Sequence, residues 1–286
     1  VALEGAASVE GESDAVPSDP LEGITASSCV VAVSRSVGEL WLLAGGQLAG
    51  VTNDGLDLAG LPEGVVSIGD ETAPDLQTIL ELEPDIVMVP EGSALLQQLG
   101  SDLDEAQVPV LSVDARTFEA YDAAMAQLTA LTGRDDLYQQ HVVQVASQVE
   151  KVIGNTTSTS GGSYLALRVS ADGSEVLGSD DFACIMLGDL EMTNAGADAQ
   201  GSDGSVLATL ATSDPDWIFV IFQGEEYEAQ GTYAETFTSQ DEWGQLSAVK
   251  AGRVVVLPRQ LFQYWPNLRW GEAYAYLSQV LHGAWA

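Results

Sequence analysis

The sequence has very few basic residues for its length. Its 286 residues include 43 acidic side chains and only 9 basic ones, which give a formal net charge of −34. Nucleic acids and anionic membrane surfaces are bound through clustered Lys and Arg, and this chain offers no such cluster. We therefore exclude nucleic acid and a charged membrane surface as partners, and we interpret the excess acid as a solvated surface that keeps the protein soluble.

Cysteine and histidine are also scarce. Cys29 and Cys184 fall in different halves of the chain, and neither belongs to a CxxC pair or lies near a histidine at metal-ligand spacing. We predict two buried free thiols. The two histidines, His141 and His282, lie far apart in the sequence, so we predict no site for a free metal ion and no cofactor.

The sequence lacks the short motifs of common enzyme chemistries. GxxxxGK[ST], GxGxxG, GxSxG and HExxH do not occur, so no signature of nucleotide, hydrolase or zinc-peptidase chemistry is present. We predict no catalytic residues, and an enzyme with its active site between two α/β lobes is the less favoured alternative. The longest apolar runs have only the length of a strand, so no transmembrane helix is expected.

The sequence does contain short apolar runs that alternate with helical segments, on both sides of one long helical stretch. Residues 134–154 carry apolar side chains at helical spacing, and the blocks on either side share a phrase, LEPDIVMVPEG (82–92) and SDPDWIFVIFQG (213–224). Continuously apolar strands between helices indicate parallel sheets that are covered on both faces. We predict an α/β fold of two lobes, each a mostly parallel sheet with helices on both faces, joined by one long helix.

The predicted boundaries follow from this division. Residues 1–28 consist mostly of Gly, Ser, Ala, Pro and acidic residues, which cannot bury enough apolar surface to fold, so we predict a disordered acidic linker. An N-terminal lobe over 29–133, the connecting helix over 134–154 and a C-terminal lobe over 155–286 complete the prediction.

Three stretches, in their order and spacing, carry a resemblance to a known family. They are LQTILELEPDIVMV (76–89), SVLATLATSDPDWIFV (205–220) and AVKAGRVVVLPRQLFQYWPNLRWGEAYAYLSQVL (248–281). In these the chain resembles the substrate-binding proteins of ABC importers for iron complexes, haem and cobalamin. The resemblance implies a monomer outside the cytoplasm, lipid-anchored or periplasmic, that binds a metal chelate between its lobes and delivers it to ABC permease subunits. A ferric siderophore or haem is the first choice of ligand, and cobalamin is the alternative.

Ligands of open α/β sheets bind beyond the carboxyl ends of the strands. The candidate ligand-binding residues come from those ends and from the aromatic stretch 262–270, and they are Arg35, Asn53, Glu91, Arg116, Arg168, Gln223, Arg259, Tyr264 and Trp265. Guanidinium groups suit the carboxylates of an anionic chelate, and aromatic rings suit a flat one. The alternative for each arginine is an ion pair with one of the many acids. Phe262 and Trp270 we assign to the packing of the final helix.

The resemblance also implies a docking Glu on the helix before the Pro-Asp strand of each lobe, where it meets Arg residues of the permease. This chain departs from that pattern, because Gln77 and Ala208 stand at the matching positions. The predicted docking residues are therefore Asp75, Gln77 and Asp203. The alternative is that a net charge of −34 makes any single acid dispensable for docking.

Overall fold

The computed structural model describes residues 21–155, 162–197 and 205–283. The docking candidate Asp203 and the first twenty residues of the predicted linker lie outside these ranges. The described chain forms two lobes, each built on a mostly parallel sheet, and one long helix joins them. The predicted fold class is confirmed.

The sheet of the first lobe is entirely parallel. Its strands are β1 (Val30–Ala32), β2 (Leu48–Val51), β3 (Val66–Ser67), β6 (Ile86–Pro90) and β7 (Val110–Val113), while β4 (Gly69–Asp70) and β5 (Ala73–Pro74) form a separate antiparallel hairpin. The strand order is β3-β2-β1-β6-β7. The central strand β1 is buried along its whole length, as expected for an apolar strand that is covered on both faces.

Four helices flank this sheet, and a 3-10 turn (Asn53–Gly55) follows β2. They are α1 (Arg35–Leu43), α2 (Leu76–Glu81), α3 (Ala94–Glu105) and α4 (Phe118–Thr132). The side chain of Thr117 accepts a hydrogen bond from Ala120 N at 2.9 Å, which satisfies one of the free N–H groups at the start of α4. Gly133 ends α4 in the left-handed conformation, at a φ of 70° that favours glycine.

The connecting helix is helical from residue 135 to residue 155. It consists of α5 (Asp135–Tyr138), a π-helical turn (Gln139–Val143) and α6 (Gln144–Asn155). The sequence pattern does not predict the π-helical turn. A wider turn loosens the regular hydrogen-bond ladder, and here the carbonyl of His141 accepts a hydrogen bond from the Tyr121 hydroxyl at 3.0 Å.

The sheet of the second lobe is parallel except for one strand. Its strands are β8 (Ser163–Ser170), β9 (Gly173–Val176), β10 (Thr193–Asn194), β11 (Trp217–Phe222) and β12 (Val254–Val256). The order is β10-β8-β11-β12, and β9 pairs antiparallel with the end of β8. The prediction missed β9 because its four residues, GSEV, carry no apolar run.

The helices of the second lobe are mostly short. They are α7 (Phe182–Asp189), α8 (Val206–Ser213), α9 (Glu226–Tyr233), α10 (Ser247–Lys250), α11 (Arg259–Phe262) and α12 (Trp270–Leu281). A π-helical turn (Ala234–Thr238) extends α9, and two 3-10 turns (Trp243–Gln245 and Asn267–Arg269) precede α10 and α12.

The chain returns from the second lobe to the first before its last helix. The backbone N–H of Trp265 donates to the Ser36 hydroxyl at 3.2 Å, and Asn267 Nδ2 donates to Glu39 at 2.8 Å. Helix α12 then packs against α6, and Trp270 meets Phe118 of the first lobe edge to face, with ring centroids 6.3 Å apart. The prediction that Trp270 packs the final helix is confirmed, because its side chain is fully buried.

Two details of the sequence interpretation need correction. Residues 21–28, assigned to the linker, form turns, and Leu21 and Ile24 pack against the largest apolar cluster, so linker disorder is wrong for this segment. Burial of these two apolar side chains stabilises the stretch on the surface. Both cysteines are free thiols as predicted, but only Cys184 is buried, whereas Cys29 is partly exposed.

The close approach of Gly46 to Trp41 gives a stability prediction. A Cβ at position 46 would lie 2.1 Å from Trp41 Cε2, and the ring is held by a hydrogen bond from its Nε1 to Gln47 O at 2.9 Å. Gly46→Ala is expected to lower the free energy of unfolding by about 1–3 kcal/mol in urea titrations. Gly188→Ala, which meets open space near the end of α7, is the matched control and should cause no loss.

Candidate functional site

A cleft of about 920 Å³ opens between the two lobes. Five cleft residues come from the first lobe. Ser34 and Ser36 follow β1, and Pro90 ends β6. Arg116 follows β7, and Glu71 lies in the turn of the β4–β5 hairpin. The second lobe contributes the β8–β9 hairpin, the start of α7, part of α8, the residue after β11 and the loop after α11. Several of these walls lie at the carboxyl ends of parallel strands, where α/β sheets place their ligands.

The cleft brings together five of the nine predicted ligand residues, which are Arg116, Arg168, Gln223, Tyr264 and Trp265. The other four, Arg35, Asn53, Glu91 and Arg259, are not among the residues that line it. Asn53 is held away from it by hydrogen bonds with Ser67 and Asp70. A ligand contact by any of the nine remains a prediction.

Arg116 stands beside its own carboxylate partner. Its Nε and Nη2 donate to the two oxygens of Asp114 at 2.9 and 3.0 Å, and its backbone N–H donates to the same side chain at 3.0 Å. The hydrogen bond from Arg116 lowers the pKa of Asp114, which keeps this carboxylate ionised. The guanidinium therefore enters the cleft with its charge already compensated on one side.

Arg168 is compensated in the same way. It extends from β8, and its Nη2 donates to Asp181 at 2.6 Å while Nη1 donates to Glu175 at 3.3 Å. Asp181 is only 12% exposed, and it also caps α7 by accepting from Ala183 N at 2.9 Å. For both arginines of the cleft, the alternative weighed from the sequence, an ion pair with a nearby acid, is what the structure shows.

Arg35 does not line the cleft, but it contacts Tyr264, which does. Its guanidinium binds Asp57 and the carbonyl of Asp54, and it lies over the Tyr264 ring at 5.2 Å from the ring centre. Burial, followed by the nearby Asp54 charge, raises the pKa of Tyr264 to about 12, so the phenol stays protonated. From the sequence we predict Arg35 and Tyr264 as separate ligand contacts. In the structure Arg35 packs on the Tyr264 ring and supports it.

Arg259 likewise supports a residue that the sequence analysis missed. Its Nε donates to Gln263 Oε1 at 2.5 Å and its Nη2 donates to Gly224 O at 2.6 Å. Gln263 lines the cleft although it is only 7% exposed. Gln263 lies within the aromatic stretch 262–270, and this position was the one feature of the sequence that pointed to it as a cleft residue.

Acidic residues of the cleft are the other group that the sequence analysis missed. Glu71, Glu175, Asp180 and Asp181 all line it. Glu71 comes from the turn of the β4–β5 hairpin and Glu175 from β9, two short features that the apolar pattern does not reveal. Burial, the largest influence, raises the pKa of Glu71, and the hydrogen bond from Ser34 only partly offsets this rise.

The two described docking candidates lie at the start of α2. Asp75 accepts from the backbone N–H groups of Gln77 and Thr78 at 3.0 and 3.3 Å, and from the Thr78 hydroxyl at 2.9 Å. These bonds, led by the hydroxyl of Thr78, lower the pKa of Asp75. Asp75 and Gln77 are exposed, and their docking role stays a prediction.

Two further properties concern only the parts of the chain that the structure describes. Within 21–155, 162–197 and 205–283, no group of three or more His, Cys, Asp or Glu side chains is arranged to hold a metal ion. None of the helices in these ranges combines the length and the apolar content that crossing a membrane requires.

The fold is shared with known proteins. An ABC transporter substrate-binding protein from Listeria monocytogenes superimposes with a TM-score of 0.73 at 21% identity, over 90% of this chain and 99% of its own. Haem-bound IsdE of Staphylococcus aureus superimposes with a TM-score of 0.75 at 15% identity, over 90% of this chain and 99% of its own. The vitamin B12 binding protein BtuF of Vibrio cholerae superimposes with a TM-score of 0.73 at 16% identity, over 91% of this chain and 98% of its own.

Comparison of the sequence with curated proteins gives no match. The family model described as periplasmic binding protein, however, matches residues 30–261, which is most of the chain. This match includes both sheets and most of the cleft residues, up to the helix that precedes the aromatic loop. The chain therefore belongs to the periplasmic binding protein family.

Proposed function

We propose that this protein is the extracytoplasmic substrate-binding protein of an ABC importer, and that it captures a metal chelate between its lobes and delivers it to the permease. The observation that carries the proposal is the cleft of about 920 Å³, to which both lobes of a periplasmic binding protein fold contribute. A cleft of this size suits a ligand as large as a chelate or a macrocycle.

The chemistry of one wall supports a bulky ligand. Tyr264, Trp265 and Phe182 line the cleft and offer aromatic surface. Phe182 is fixed from behind by a stacked Phe262, at 6.4 Å between ring centroids, and Tyr264 is fixed by Arg35. Rigid aromatic rings lose little conformational entropy on binding, so they are efficient contacts for a large planar or rounded complex.

The iron complexes, ferric siderophores or haem, are the first candidates for the ligand, and cobalamin is the second. Structural relatives include IsdE with haem, FeuA of Bacillus subtilis with ferri-bacillibactin and the vitamin B12 binding protein of Vibrio cholerae. In this proposal the metal arrives as part of the chelate. No catalysis and no resident cofactor are part of it.

The direct test is a titration of the purified protein with haem, ferric siderophores of several classes and cobalamin. We expect at least one of them to bind with a dissociation constant in the micromolar range or below, measured by calorimetry and by changes in the absorbance of the chelate. If none binds, and turnover of ester, phosphate or peptide substrates follows the purified protein, the enzyme alternative replaces the proposal.

Trp265→Ala should weaken binding of that ligand by about tenfold, equivalent to about 1.4 kcal/mol, because it removes aromatic contact area. Tyr227→Ala is the matched control, since Tyr227 is 88% exposed and does not line the cleft, and it should leave the affinity unchanged. Calorimetry is the suitable measurement because it does not depend on tryptophan fluorescence. An affinity within about twofold of the original protein would show that Trp265 is structural.

A further inference from the structure

The side chains that line the cleft carry more negative than positive charge, whereas a binding site for anions requires an excess of positive charge. Its lining holds two cationic side chains, Arg116 and Arg168, against four carboxylates, so the formal charge is −2 when all are ionised. No lysine lies among the lining residues. A chelate in this cleft therefore meets more negative than positive charge, in a protein whose total is −34.

The positive charges of both arginines are already balanced by nearby carboxylates of the protein. Arg168 is paired with both Asp181 and Glu175. The pKa of Arg116 is raised first by its hydrogen bonds to Asp114 and then by the charges of Glu91 and Asp180, so three carboxylates act on one guanidinium. An anionic ligand would have to compete with these acids, and it would be repelled by them.

The carboxylates belong to both walls of the cleft. Glu71 extends from the β4–β5 hairpin of the first lobe, where the Ser34 hydroxyl hydrogen-bonds to it. Asp180 and Glu175 belong to the second lobe, beside the β8–β9 hairpin. A ligand between the lobes is therefore exposed to negative potential from two sides, and the walls of a cleft concentrate that potential.

We propose that the cleft selects metal chelates of net positive charge and discriminates against anionic chelates with the same core. This inference rests on the proposed function and names the ligand class within it: a ferric hydroxamate with a protonated amine, or a similarly cationic complex, and not a tricatecholate or a haem with two ionised propionates. Charge complementarity across an interface favours the matching partner and penalises like charges, and it also speeds association.

A series of probes with one metal-binding core tests the inference. The ferric complex of desferrioxamine B carries a free ammonium group, its N-acetyl derivative is neutral, and its N-succinyl derivative ends in a carboxylate. Calorimetry at low salt is expected to rank the affinities in the order ammonium, acetyl, succinyl, with at least about a tenfold difference between the ends of the series. The difference should shrink when NaCl is raised from about 0.02 M to about 0.5 M, because salt screens charges.

A second series covers the case in which the hydroxamate core does not fit. Aquocobalamin is cationic, cyanocobalamin is neutral, and a monocarboxylate of cyanocobalamin is anionic, so the same ranking is expected within this core. Haem and a ferric tricatecholate are titrated beside both series. The inference is overturned if an anionic member binds as tightly as the cationic member of its series, or if only haem or the tricatecholate binds.

Variants connect the effect to the cleft. Glu71→Gln and Asp180→Asn each remove one cleft carboxylate and should weaken binding of the cationic probe by about threefold to tenfold, with little effect on the neutral probe. Asp102→Asn is the matched control, because Asp102 is exposed on α3, does not line the cleft and changes the total charge equally. Equal effects of all three variants would show that only total charge matters and would overturn selection by the cleft.

The two levels of the proposal fail in different ways. If no chelate of any charge binds, the proposed function fails and this inference falls with it. If chelates bind but anions bind best, the protein remains a chelate-binding protein and only the charge selection is wrong.

Discussion

Replacing Trp270 with alanine is expected to lower the free energy of unfolding by about 3–5 kcal/mol. The side chain is fully buried, and its ring contacts Phe118 of the first lobe at 6.3 Å and Tyr274 of α12 at 6.1 Å between centroids. Because Trp270 belongs to the last helix, its removal leaves a cavity where the end of the chain meets the first lobe. Urea unfolding followed by far-UV circular dichroism measures the loss.

Two variants make this prediction specific. Leu268→Ala, two residues earlier and 39% exposed, should change the free energy of unfolding by less than about 0.5 kcal/mol. Trp270→Phe should cost clearly less than Trp270→Ala, because the indole N–H has no hydrogen-bond partner among the described residues and most of the ring volume is kept. If Leu268→Ala and Trp270→Ala destabilise equally, the contact between α12 and the first lobe does not support the fold.

Replacing Asp181 with alanine is expected to lower the free energy of unfolding by about 2.5–4 kcal/mol. The change removes the cap of α7, worth about 1 kcal/mol, and the hydrogen-bonded ion pair with Arg168, worth about 1.5–3 kcal/mol. The loss is large because Arg168 is only 26% exposed, and it is limited by Glu175, which remains as a carboxylate partner at 3.3 Å. Thermal unfolding monitored by calorimetry is the suitable measurement.

Asp181→Asn separates the two contributions. The asparagine carbonyl can still accept a hydrogen bond from Ala183 N, so the cap is kept while the charge is lost. Its cost should be about 1 kcal/mol smaller than that of Asp181→Ala. Identical losses for the two variants would mean that the cap contributes nothing, and a negligible loss for both would mean that neither the cap nor the ion pair stabilises the fold.

The sequence by itself determined the two-lobed α/β fold and the helix between the lobes. Continuously apolar runs such as Ile86–Pro90 and Trp217–Phe222 can be satisfied only in sheets covered on both faces, so their alternation with helices predicts parallel sheets. It also indicated the edge where the cleft lies, because polar residues follow strands at the carboxyl ends. Arg116, Arg168 and Gln223 were found in this way and do line the cleft.

Only the tertiary structure decided which charges the cleft presents. Arg168 and Asp181 are thirteen residues apart, and the Glu71 carboxylate enters the cleft from a hairpin of two-residue strands that no apolar pattern marks. Ion pairs depend on distances of a few ångströms, whereas hydrophobic patterns depend only on the period of the chain. For this reason the sequence suggested arginines available for an anion, and the folded chain shows those arginines already held by acids.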